Sequence, residues 1–158
     1  MSSSLVLVFA FLIGAVGGLR SLTAPAAVAW AAHLGWIHLQ STPLAFMGST
    51  AAVAVLTLMA LGELIADKLP TTPSRLSALG MGARISLGVL SGACLALAGA
   101  QSLWVGGILG ALGGVVGAFA GYNARVRSVR ALNVPDFVVA LVEDAVAIGS
   151  SLWIVSRF

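Results

Sequence analysis

Charge is what this sequence has least of. Eight Lys/Arg and five Asp/Glu side chains make up 8% of 158 residues, against about 25% in an ordinary soluble domain. A water-facing surface of normal size cannot be built from so few. That excludes a soluble enzyme, a nucleic-acid binder and a disordered tail. The single cysteine, Cys94, excludes an internal disulfide and a cysteine metal cluster. Gly-x-Ser-x-Gly, His-Glu-x-x-His and phosphate-loop strings are missing too. His33 and His38 are five apart, which misses the i, i+4 spacing that sets two ligands on one helical face. The chain is therefore read as a non-enzyme with no metal and no cofactor.

What is present is apolar bulk: 59% hydrophobic residues and a mean hydropathy of +1.07. No charge occurs from Ser21 to Gly62, nor from Ile85 to Ala124. One bilayer crossing takes about 20 apolar residues, so each gap holds up to two. The fold class expected is all-α: one polytopic membrane-embedded helical bundle over residues 1–158. Hydrophobic segments are expected at about 5–18, 25–39, 44–66, 85–100, 103–122 and 135–155. The first lacks the basic flank of a signal peptide and is read as a retained membrane segment. The stretches 67–84 and 123–133 read as loops.

Gly17-Gly18-Leu19-Arg20-Ser21-Leu22-Thr23-Ala24-Pro25 should interrupt a helix. Pro25 lacks a donor N–H, and Thr23 is placed to cap a new helix with Pro25 in its first turn. If the first two segments both cross, Arg20, Lys68/Arg75/Arg84 and Arg125/Arg127/Arg130 all fall on the cytoplasmic side. If they form one broken span, five crossings result and Arg20 lies at membrane depth. The pattern Arg-x-Leu-(Thr/Asn)-x-Pro-x-x-Val occurs at Arg20–Val28 and again at Arg130–Val138. It reads either as an internal repeat, as many transporters have, or as one helix-start grammar used twice. In the second copy Asn133 and Pro135 play the parts of Thr23 and Pro25. Asp136 falls in the first helical turn, where a carboxylate favours the helix dipole.

The strings Gly18–Ala26, Glu63–Arg75 and Pro135–Asp144 occur in order along most of the chain. They resemble the small bacterial membrane proteins grouped as domain-of-unknown-function family 4126. The resemblance implies a multi-helix protein of the bacterial inner membrane, and brings with it no activity and no catalytic residues.

Ionisable groups inside a bilayer cost roughly 2.5–3.5 kcal/mol each on insertion scales, so those present point to sites. Glu143 and Asp144 lie well inside the last segment, about 100° apart around the helix. They read as a proton or cation site, or as partners of an arginine such as Arg20 or Arg84. Glu63 and Asp67 share a helical face at i, i+4, and read either as a second acidic site or as markers of the cytoplasmic helix end. Arg20 beside a helix N-terminus could hold a carboxylate or phosphate, anchor the cytoplasmic face, or pair with an acid. Gly110, Gly114, Gly117 and Gly121 recur at helical spacing, matched by Gly14/Gly18 and Gly88/Gly92. Such stripes let helices approach closely, within one subunit or between copies.

The function expected is a small transporter or channel for an ion or small solute, with proton or cation coupling. Glu143, Asp144, Arg20, Glu63 and Asp67 would carry the pathway. So short a chain supplies few helices, so a homodimer or higher homo-oligomer in the lipid bilayer is expected. The other class is a non-transporting scaffold, assembly factor or lipid-associated protein whose charges only pair internally.

Overall fold

The computed structural model describes residues 1–67 and 76–158. Among them are six α-helices and no strand: α1 Ser3–Leu19, α2 Thr23–His33, α3 Thr50–Ala66, α4 Ala78–Ala98, α5 Leu103–Leu132 and α6 Asp136–Val155. A 3-10 turn, Ala45–Gly48, precedes α3. Helix is what an apolar chain must form where no water can satisfy its backbone. The helices α4, α5 and α6 are long and apolar enough to cross a membrane, and α1 and α3 are shorter apolar helices. Large apolar side chains such as Leu58, Ile65, Trp104 and Ile108 cover the outside. The chain is thus a helical membrane protein.

Local chemistry sets the ends, and several differ from the sequence expectation. The second segment stops at His33, not Leu39, because the chain turns at Gly35, whose φ is +78°. The third helix starts at Thr50, where the Ser49 hydroxyl accepts from Ala52 N at 3.1 Å; Leu44 lies before the 3-10 turn. Ser77 caps α4 in the same way through Gly80 N at 3.2 Å, so residues 78–84 are helical rather than loop and Arg84 sits inside α4. Lys68 and Arg75 of the expected loop lie outside the described residues. The largest correction is at 123–132, expected as a basic loop. It continues α5, because it holds no Gly or Pro and arginine is a good helix former. Loss of hydropathy marked the edge of the apolar layer, not the end of the helix. Asn133, at φ 50°, closes α5 in the left-handed conformation, which Asn tolerates.

Three helices form a close-packed centre through glycine. A Cβ added at Gly14 would collide with the Gly110 backbone, at Gly18 with Gly114–Ala118, and at Gly92 with Gly106. Along these contacts α1 runs parallel to α5 and antiparallel to α4. The faces of Gly110, Gly114 and Gly117 are thus used inside the subunit, and Gly121 is buried as well. Helix α6 runs antiparallel to α1, with Phe9 edge-on to Trp153 at 5.8 Å. Helix α2 folds back between α3 and α6. Trp30 Nε1 donates to Thr57 Oγ1 at 3.0 Å, and His33 Nδ1 lies 3.0 Å from Gly48 O. The non-helical stretch after α2 is tolerated because Ile37 and Leu39 are buried. This alternation gathers the C-terminal ends of α1, α3 and α5 and the N-terminal ends of α2, α4 and α6 at one end of the bundle.

Candidate functional site

The charged end is built around the turn Arg20–Leu22 between α1 and α2. A helix end leaves carbonyls unpaired at its C-terminus and N–H groups at its N-terminus, with partial charges to match. Both ends at this turn are answered by charged side chains from other helices. Arg84 of α4 donates through Nε to Gly18 O, in the last turn of α1, at 3.1 Å; its Nη1 donates to Gly80 O at 2.9 Å. Glu63 of α3 accepts from Ser21 N at 2.8 Å, Ser21 Oγ at 2.5 Å and Leu22 N at 2.8 Å. Thr23 makes no capping bond and is the first helical residue of α2. The expected side-chain cap is replaced by a carboxylate from 40 residues along the chain. Pro25 sits in the first turn as expected.

Removing that carboxylate has a direct consequence. Glu63→Gln keeps the shape but loses the charge-assisted character of the three bonds, and its amide group brings a donor against N–H groups. A fall of about 2 kcal/mol in stability is expected, read as earlier SDS-induced unfolding of the purified protein. An unchanged midpoint would show that Glu63 does not hold the turn.

Arg20 is fully buried. Its Nη1 donates to Asp67 at the end of α3, and its Nη2 lies 2.6 Å from Asp144 Oδ1 on α6. One guanidinium therefore joins the α1–α2 turn to α3 and α6. Asp144 is eight residues from the start of α6, about 12 Å along the axis. A separate set lies nearer the tip of the α5–α6 hairpin. Arg125 binds Asp136 in a two-pronged pair at 2.8 and 2.5 Å, and its Nη1 lies 3.6 Å from Glu143 Oε2. Adjacent acids on one helix thus serve different arginines, as their angular separation requires.

Of the residues singled out from sequence, Arg20, Asp67, Asp144 and Glu63 come together. Glu143 and Asp136 stand apart with Arg125. The two Arg-x-Leu-x-x-Pro strings both lie at hairpin turns on the same end, but do different work. Arg20 is buried and Arg130 exposed. Thr23 opens a helix whereas Asn133 closes one, so Asn133 is not the cap of α6; Pro135 holds that position, with Asp136 in the first turn. Sequence reading missed Arg84 as a helix-end cation and Arg125 as the partner of Glu143. The uninterrupted helix-forming run through residue 132 was the signal that would have placed Arg125 on α5.

Among the described residues, no three His, Cys, Asp or Glu side chains meet as metal ligands. A groove of about 170 Å³ runs between α2, α3 and α6 from Thr23 to Trp30, past Ala27, Leu61 and Ser151. Among the described residues no charged side chain lines it, so their charges do not converge there.

The family model described as domain of unknown function (DUF4126) matches residues 7–156. The chain belongs to that family. No curated protein and no solved structure matches it significantly.

Proposed function

We propose that this chain is a small transporter or channel of the bacterial inner membrane. It would move an ion or a small solute with proton or cation coupling. The observation that carries the reading is Arg20, fully buried in the turn between α1 and α2 and shared between Asp67 and Asp144. Ionisable groups buried inside a membrane bundle are expensive and concentrate on ion pathways. A proton or cation reaching Asp144 or Asp67 would compete with Arg20 for that carboxylate. Because the two acids belong to different helices, such competition changes what holds α3 and α6 to the turn. In this reading the Arg20 end of the bundle faces the cytoplasm and the chain acts as a homo-oligomer.

A second reading, a non-transporting scaffold or assembly factor, is favoured by a different observation. Each acidic side chain already meets a donor within the chain. One experiment separates the two: protein in liposomes holding a pH-sensitive dye, screened with simple cations and small organic anions. For a transporter, Asp144→Asn abolishes flux, by at least tenfold, while remaining folded. Glu143→Gln, on the Arg125 side, leaves more of it. No flux for any solute, with variants that misfold, supports the scaffold.

A further inference from the structure

We infer that the projecting end of α5 is a docking ledge for anionic phospholipid headgroups, held by Arg127 and Arg130. Helix α5 has 30 residues, about 45 Å at 1.5 Å per residue, whereas the hydrocarbon layer is about 30 Å thick. Its first turn lies level with the start of α1, where Gln101 Nε2 donates to Ser3 Oγ at 3.2 Å. The excess of about 15 Å therefore projects at the other end, beyond Tyr122, through the headgroup layer of about 5–8 Å on that side and past it. The projection is braced, because Arg125 grips Asp136 and approaches Glu143 on α6.

The chain has five acidic residues, and all are engaged elsewhere. Glu63 holds the α1–α2 turn, Asp67 and Asp144 hold Arg20, and Asp136 and Glu143 hold Arg125. Arg127 and Arg130 are exposed and three residues apart, on one helical face. Neither has a carboxylate partner among the described residues. At the opposite end Arg157 is provided for differently, 4.8 Å above the Trp153 ring. A second copy of the chain has the same acids similarly engaged, so it is a poor source of counter-charge. Exposed Leu132 and Phe137 flank the ledge at 67% and 54%. Apolar side chains beside cations fit a lipid interface, with acyl chains on one side and phosphates on the other. Basic residues next to a membrane segment gain from anionic lipid by an amount equal to about fivefold in affinity each.

The test uses the whole protein in nanodiscs of mixed phosphatidylglycerol and phosphatidylcholine, with retained lipid counted by native mass spectrometry. Wild type is expected to retain phosphatidylglycerol preferentially. Arg127→Gln with Arg130→Gln lowers that preference about 25-fold. Arg127→Lys with Arg130→Lys keeps most of it, and Arg157→Gln leaves it unchanged. Both arginines are exposed, so the double variant should melt like wild type. Equal retention of the two lipids, or a preference indifferent to the double substitution, overturns the proposal. So does full displacement of phosphatidylglycerol by millimolar inorganic phosphate, which would make this a free-anion site.

Discussion

Arg20→Gln is expected to destabilise the protein by about 3–5 kcal/mol, the cost of removing one partner from a buried ion pair. The loss arises less from missing attraction than from what is left behind. Asp67 and Asp144 lose the guanidinium that reaches both, and a buried carboxylate stripped of a counter-charge is expensive to keep ionised. Neutralising the acids as well should therefore recover much of the stability. The triple variant Arg20→Gln, Asp67→Asn, Asp144→Asn is expected to unfold closer to wild type than Arg20→Gln alone. Arg20→Lys should restore only part, because an ammonium is a point charge without the planar fork that can face two carboxylates. The measurement is the SDS midpoint of the four proteins in one detergent. If Arg20→Gln unfolds with wild type, the buried pair contributes nothing and the site loses its organising residue. If the triple variant is worse than the single one, polar packing rather than charge holds the turn.

Those expectations depend on partners that the sequence did not disclose. The membrane class, the interruption before Pro25 and the glycine faces were legible because each is local. They rest on composition, on one proline and on i, i+4 spacing. Which acid meets which arginine is not local. Glu63 and Ser21 are 42 residues apart, and Arg20 and Asp144 are brought together only by the antiparallel run of α6 beside α1. A single sequence constrains such a pair only to opposite sign. The misplaced boundaries have a different cause. Hydropathy reports where the lipid ends, and helix geometry does not. Residues 123–132 carry three arginines, and residues 78–84 are apolar up to Arg84, yet both stretches keep helical backbone, so the position of a charge alone misplaces Arg84 and Arg125 in loops. Placing them on helices turns two topology markers into ligands, one for the open end of α1 and one for Asp136 and Glu143. The Thr23 cap failed for a related reason. A local hydroxyl was weighed for that helix start, while a carboxylate from α3 reaches Ser21 and Leu22 first.

The glycine faces give the second large expected effect, and they bear on the charges. A Cβ at Gly18 would run into the Gly114, Gly117 and Ala118 backbone, and one at Gly117 into Ala15. Backbone on the facing helix cannot rotate aside as a side chain can, so α1 and α5 must separate. Gly18→Ala and Gly117→Ala are each expected to cost about 3 kcal/mol, the upper part of the usual overpacking range. Gly149→Ala is the opposite case. It lies in α6 with nothing within 4 Å of an added Cβ among the described residues, so relief of glycine's backbone entropy should stabilise by about 0.5–1 kcal/mol. The same substitution thus changes sign with the surface it meets, which a uniform helix-propensity effect cannot do. Gly18 also lies two residues before Arg20. Pushing α1 from α5 there moves the guanidinium relative to Asp144. The costs of Gly18→Ala and Arg20→Gln should then be less than additive when combined, by about 0.5 kcal/mol or more, while Gly92→Ala, which meets α5 at Gly106 and α1 at Ala10, stays closer to additive with it. Strict additivity in both cycles would separate the glycine packing from the charge centre and leave the turn to be held by Glu63 and Arg84.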